Sequence, residues 1–359
     1  MLVLVPRFAR ARCRRYRNKC EFTIGLGEND AITVGHLLGA YVEGTVTVVE
    51  PAECVHLSPI AKALAQIFQD FLRQSALPIH DRVTHIGFWR LMTVRTSLEN
   101  EAMVIVTVQD TDEEKAAIEA ELAKLGDYMK EHAAKGAVAL SSLFVNNNTS
   151  MSGASSDSEP GRLIFGKPFI IEKMGNFSFQ VAPEAFFQVN TKGAETLLEV
   201  VRTQCDQLNP TTTLLDVCCG TGTIGISLSQ SVRRVIGMDI CAEAIVNAKA
   251  NMALNGITNC DFRAASAEDA IADVMEMCES DDEKDKGNVV AIVDPPRSGL
   301  HKNVIRHLRR STMIEQLIYI SCNIGGTALS GPILAILTDL TWLCVGIRRC
   351  AVLPSPIRA

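Results

Sequence analysis

An apolar run, a glycine turn and a helical pattern follow one another between Thr213 and Gly225, in the stretch TLLDVCCGTGTIG. This order constrains the chain more than any other feature. A strand ending in Asp216, a turn at Gly220 and Gly222, and a helix over Thr223 to Ser231 form the opening unit of a doubly wound α/β domain. Small residues in the turn let a ligand approach the backbone, where a Cβ would collide. Asp239 closes the next apolar run, Arg234–Asp239, and a carboxylate at that strand end can hold a ribose diol. Gly220, Gly222 and Gly225 also satisfy G-x-G-x-x-G, so an NAD-dependent oxidoreductase is a rival reading. A glycine turn with no ligand is the plainer alternative. The coincidence of strand, turn, helix and second-strand acid argues against it.

The alternation continues downstream. Strands are expected at Asp261–Ala265, Val289–Asp294 and Gln316–Ser321, with helices between them. The helix Cys241–Asn255 is alanine-rich and stops at Gly256, a suitable C-terminal cap. Beyond, Ile333–Leu340 fits a helix and Trp342–Gly346 a strand. Upstream the signals are mixed, as in an α+β domain. Ser58–Ser75 reads as an amphipathic helix with Ser58 as N-cap and Pro59 at its first position. Trp89–Ser97 and Ala102–Gln109 read as paired strands, Asp112–Ala134 as a charged helix, and Leu140–Asn146 as a strand. Asn146–Gly161 is small and polar and reads as a disordered loop. Phe165–Val181 has strand character, and a helix is expected over Glu184–Leu208. The resulting organisation is an Arg-rich leader at 1–19, an α+β domain at 20–183 and a Rossmann-like domain at 184–359. The last of these is incomplete at its C-terminal end.

The chain has 359 residues, 47% of them apolar and 21% charged, with a net charge of −6. That excludes a generally basic nucleic-acid binder, so any RNA contact must be local. No apolar run reaches membrane-spanning length. None of the 12 cysteines forms a C-x-x-C pair, which argues against a zinc site and against a secreted disulfide framework. No metal is expected. Reduced thiols point to the cytoplasm or nucleus. The leader, with six arginines and Lys19 before any acid, instead suits a mitochondrial presequence, a phosphate-binding arm or a segment with no role.

Ligands of open parallel sheets bind beyond the carboxyl ends of the strands. Asp216, Asp239, Asp294 and Cys322 all fall at or just past such ends, on one rim. Asp294 begins Asp294-Pro295-Pro296-Arg297, a stiff turn. Cys322, in Ser321-Cys322-Asn323, is a candidate nucleophile. A packing cysteine is the plainer reading, and it is preferred for most of the other cysteines.

Together, DVCCGTGTIG, DPPRSGLH, YISCN and Phe186-Phe187-Gln188-Val189-Asn190 resemble the tRNA (uracil-5-)-methyltransferase family, most closely its eukaryotic branch. The resemblance runs from about Arg17 to Asn323 and includes Arg17-Asn18-Lys19-Cys20-Glu21-Phe22. Four ordered motifs outweigh the dehydrogenase reading. The resemblance implies a class I methyltransferase domain, S-adenosyl-L-methionine as cofactor and tRNA as substrate. By the same resemblance Cys322 is the nucleophile that adds to uracil C6. Gln188 matches the glutamine that contacts cofactor and substrate. Cys218, Thr223, Asp239, Ser266 and Asp294 match cofactor-contacting positions, with Asp216, Gly220 and Gly222 in the same pocket. A uridine in a folded tRNA arm must be flipped out to react. Arg90, Arg95, Arg306, Arg309 and Arg310 are candidates to hold the RNA, each with a solvated surface arginine as the alternative. An exocyclic-amine methyltransferase is disfavoured, because those usually carry an aromatic residue after Asp-Pro-Pro, where Arg297 stands.

The chain departs from the family pattern in places. Ile324 follows Asn323 where the family has proline. The family's closing histidine-x-glutamate motif, which supplies the general base, has no match, and Glu315 is the last glutamate. The Arg-rich start has no counterpart, and the RNA-recognition domain usual in eukaryotic members is not among these residues. The alternative function is therefore a catalytically impaired tRNA-binding homologue.

Overall fold

The computed structural model describes residues 14–39, 44–109, 114–147, 161–205, 208–266, 287–296, 299–300, 302–311, 313–321 and 341–346. The side chains of residues 302, 309, 310, 321 and 341–346 are outside that description. So are Cys322, Arg297, most of the leader, the polar loop at 148–160, and the helix expected at Ile333–Leu340. The chain divides into two compact units, one from Arg12–Lys173 with Gln180–Thr191, the other chiefly from Met174–Phe179 with Lys192–Ala359.

The first unit is built on a seven-stranded sheet. In chain order its strands are β1 (Lys19–Leu26), β2 (Ile32–Leu37), β3 (Val48–Val49), β4 (Trp89–Thr96), β5 (Ala102–Val108), β6 (Leu140–Asn147) and β7 (Arg162–Gly166). Their spatial order is β3-β2-β1-β4-β5-β6-β7. Only β5 and β6 are parallel neighbours, and the helix α2 (Lys115–Lys135) makes the crossover that a parallel pair requires. Helix α1 (Pro59–Leu72) starts where its local sequence dictates. The Ser58 hydroxyl accepts the Ala61 N–H at 3.1 Å, and Pro59 lies in the first turn. Its apolar face, with Leu64, Phe68 and Leu72, is buried in the same core as Trp89. Phe68, Phe71 and Phe88 meet the Trp89 ring edge-on, with centroids 5.9, 5.8 and 4.7 Å away.

The second unit is a doubly wound α/β domain. Its strands are β10 (Thr213–Val217), β11 (Arg234–Asp239), β12 (Cys260–Ala264), β13 (Val289–Val293), β14 (Ile314–Ser321) and β15 (Thr341–Gly346). All pair in parallel, in the order β12-β11-β10-β13-β14-β15. Every residue of β10 and β13 is buried, as a sheet covered on both faces demands. The strand order reverses between β10 and β13, which makes the carboxyl ends of these two strands the crevice for a ligand. Helices α4 (Thr223–Leu228) and α5 (Ala242–Leu254) follow β10 and β11, and α6 (Lys302–Arg310) precedes β14.

The strand character expected over Phe165–Val181 is borne out by β7, β8 (Ile170–Met174) and β9 (Phe177–Val181), broken at Gly166 and Gly175, both with positive φ. β8 and β9 form a small sheet of their own. Helix α3 spans Thr191–Gln204, so it begins seven residues after Glu184. Backbone carbonyls between those points are held by side chains and backbone distant in sequence, which a helix could not accommodate. The strand expected at Trp342–Gly346 is present as β15 and pairs with β14, from Gln316↔Thr341 to Ser321↔Gly346. No helix among the described residues is long and apolar enough to cross a membrane.

Candidate functional site

The loop after β10 takes its shape from alternating backbone handedness. Cys218, Gly220 and Gly222 have φ of 62°, 52° and 78°. Cys218 holds a left-handed conformation that costs a non-glycine residue about 1–2 kcal/mol. Gly222 then caps α4. A Cβ on Gly222 would lie 2.8 Å from Phe262 Cζ and 3.1 Å from Ala248 Cβ. Gly237, on β11, is pressed against the same Phe262 ring. Among the described residues Gly220 has no neighbour within 4 Å of its Cβ position, so they leave that side of the loop open. Gly222→Ala should therefore cost about 2–4 kcal/mol, from left-handed strain and overpacking together. Urea titration reads this directly, and a loss below 1 kcal/mol would show that Phe262 yields easily.

Three carboxyl groups gather here. Asp216 is fully buried, and its Oδ2 accepts the Gly225 N–H at 2.8 Å, while its Oδ1 has no hydrogen-bond partner among the described residues. Asp239, half-buried at the end of β11, accepts the Gly220 N–H through Oδ2 and the Cys241 N–H through Oδ1, each at 2.9 Å. Two backbone donors thus fix that carboxylate, whose further lone pairs stay free for hydroxyl donors. The Asp294 N–H donates to Val217 O at 3.3 Å, which sets Asp294 beside the end of β10. Desolvation pushes the Asp216 carboxyl up to about 7, helped by the charges of Asp294 and Asp239 and opposed by the Gly225 N–H. Desolvation also raises Asp294 to about 6.

Most of the loop's amides are already paired. Cys219 N–H donates to Met238 O, Gly220 N–H to Asp239, and Gly222 N–H to Cys219 O. A pyrophosphate needs such amides free at a helix N-terminus. Thr223 opens α4 and is partly exposed, as are Cys218 and Ser266; Ser266 lies just past β12, where Ala265 N–H donates to Asp239 O. Asp216, Cys218, Gly220, Gly222, Thr223, Asp239, Ser266 and Asp294 all belong to the second unit. Gln188 belongs to the first.

Two supports escaped the sequence reading. Asn251, fully buried on α5, donates its Nδ2 to Thr221 O at 3.2 Å and braces the loop. Phe262 forms the floor under Gly222. The only signal for the first was a polar residue within an alanine-rich helix, and nothing marked the second. Among the arginines, Arg306 is exposed and donates to Asn303 Oδ1 at 3.2 Å. Arg90 is half-buried. Arg95 is no surface contact: it is 4% exposed and its guanidinium donates to Ala185 O.

A six-stranded parallel sheet with a glycine loop and acids at the ends of its first, second and fourth strands defines a doubly wound ligand-binding domain. The sequence profile of the tRNA (uracil-5-)-methyltransferase family matches residues 136–330, more than half of the chain. The chain belongs to that family. It is 37% identical over 312 residues to the human tRNA (uracil-5-)-methyltransferase homolog A, covering 86% of this chain and 48% of that protein. To the human homolog B it is 35% identical over 314 residues, covering 87% and 60%. The chain thus spans between about half and three-fifths of the length of these relatives. Its fold is also that of a Pyrococcus abyssi tRNA (uracil-54, C5)-methyltransferase solved in complex with S-adenosyl-L-homocysteine. That likeness has a TM-score of 0.64 at 22% identity, covering 90% of this chain and 68% of that one.

Proposed function

We propose that this chain transfers a methyl group from S-adenosyl-L-methionine to C5 of a uridine in tRNA, through a covalent adduct on Cys322. One observation carries the cofactor assignment: Asp239 is fixed at the end of β11 by the Gly220 and Cys241 N–H groups, Asp294 lies beside the end of β10, and Asp216 is buried beneath the same loop. A cluster of carboxyls favours a cationic ligand and repels a pyrophosphate. S-adenosylmethionine carries a sulfonium and an ammonium; NAD carries two phosphates. Asp239 would hold the ribose diol, the open side of Gly220 would receive the chain of the ligand, and Asp216 would act from beneath by tying Gly225. Cys218, Gly222, Thr223, Ser266 and Asp294 would line the same pocket, and by family resemblance Gln188 is the family's contacting glutamine. Family membership supports tRNA as the substrate, and the α+β unit is assigned its grip.

When bound, the cofactor supplies an electrophilic methyl group. The work of the chain's own residues is to make uracil C5 nucleophilic. The Cys322 thiolate adds to C6, and the electrons of the C5–C6 double bond move toward O4, leaving C5 enolate-like. Release of the methylated base requires a base to take the C5 proton. The C5–C6 double bond then re-forms as the C–S bond breaks and returns the thiolate.

A second reading is a tRNA-binding homologue with impaired catalysis. Calorimetry separates the cofactor readings. S-adenosylmethionine is expected to bind and NAD is not, and Asp239→Ala is expected to weaken binding by about 1–3 kcal/mol. Heat from NAD with none from S-adenosylmethionine would sink the assignment.

A further inference from the structure

We propose that Asn18 is a positioning residue for Gln188, and that Arg95 tethers the same segment at its other end. Residues 182–190 run irregularly between β9 and α3. Backbone carbonyls there have no ladder or helix to accept from, so they need other partners. Asn18, just before β1, supplies two. Its backbone N–H donates to Val189 O, and its side-chain Nδ2 donates to Gln188 O, both at 2.9 Å. The same Nδ2 reaches Thr191 Oγ1, also at 2.9 Å. Asn18 is itself fixed, because its carbonyl accepts the Thr96 N–H at 2.8 Å. Six residues upstream of Thr191, the Arg95 guanidinium holds Ala185 O.

This arrangement joins two stretches, Arg17–Phe22 and Phe186–Asn190, that lie about 170 positions apart. It also selects residue types. Asparagine carries two N–H donors on a short arm, while aspartate of the same shape carries only acceptors and would face the Gln188 carbonyl without a proton to give; the Thr191 hydroxyl could still donate to it. Arg95 is buried with Glu184 and Glu21 as its charge partners, and desolvation draws it down to about 10. Pinning Ala185, Gln188 and Val189 fixes which side chains turn inward. Ala185 and Phe187 are 8% and 5% exposed, and Gln188 is left partly open. Misplacing a contacting group by about 1 Å can cost on the order of 10²-fold in rate. The role given to Gln188 rests on the methyltransferase reading; the tether does not.

The test uses the full chain and Asn18→Asp. Hydrogen exchange without any ligand should be at least about tenfold faster in peptides covering 183–190 and unchanged in α1. With an unmodified tRNA transcript and S-adenosylmethionine at saturation, single-turnover adduct formation should slow about 10²-fold, while tRNA affinity changes less than about threefold. Combined with Gln188→Ala, Asn18→Asp should add no further loss, since it acts through that residue. Unchanged exchange at 183–190, or losses that add in the double variant, would overturn the proposal. If the unaltered chain forms no adduct, the methyltransferase reading fails, and the exchange comparison still decides the tether. Should Asn18→Asp lose its cooperative melting transition, Arg95→Lys carries the same exchange comparison, since it keeps the charge and loses the guanidinium fork.

Discussion

Cys322→Ala is expected to abolish covalent capture of tRNA and to lower methyl transfer on the order of 10⁴-fold or more, the scale on which essential nucleophiles act. Without the thiolate, uracil C5 has no route to the enolate-like state and remains a poor nucleophile. Addition at C6 and methylation at C5 need no general base, but release does, and positioned bases contribute about 10²–10⁴-fold. The adduct is thus an intermediate of the reaction, and denaturing a reacting sample should capture it. A denaturing gel with labelled tRNA, run beside methyl counting, reads both quantities. Undiminished methyl transfer in Cys322→Ala, or no protein–RNA band from the parent, would mean that another group attacks C6.

Asp216→Asn should change how stability depends on pH. Burial and the neighbouring carboxyls raise Asp216 from 3.8 to about 7. Between those values the folded protein keeps a proton that the unfolded chain gives up, so this group's stabilisation is complete below pH 4 and is lost as pH rises toward 7. Asp294, raised to about 6, adds a slope of the same sign. Asparagine keeps an acceptor for the Gly225 N–H and has no charge to bury. The variant should match the parent near pH 4.5 and exceed it by about 2–4 kcal/mol near pH 8, at about 1.4 kcal/mol per pKa unit. Urea titrations of the cofactor-free protein at several pH values give the comparison. Parallel curves for the two proteins would mean that Asp216 titrates at its ordinary value.

What the sequence discloses is mostly what local chemistry decides. Ser58 and Pro59 start α1, because a hydroxyl cap and a fixed φ act within one turn. The order of strand, glycine turn, helix and acid fixes the second unit, because close approach at Gly222 and Gly237 leaves no room for a Cβ. The start of α3 is hidden, since Asn18 and Arg95 decide it from far away in the chain. The burial of Arg95 is hidden for the same reason: a charged residue in a strand gives no sign of which face it takes. The inward turn of Asp216 follows from the Gly225 amide nine residues later, and the acid at a strand end reads equally well as a rim group. Family resemblance, carried by four separated motifs, supplies the chemistry that no single motif specifies.

The most direct measurement is methyl transfer from labelled S-adenosylmethionine to an unmodified tRNA transcript, followed by protease treatment and nucleoside analysis of the RNA. The account predicts label on uridine C5, part of it retained on protein before digestion and none with Cys322→Ala. Label on another base, or RNA that stays unlabelled while S-adenosylmethionine binds, would contradict it.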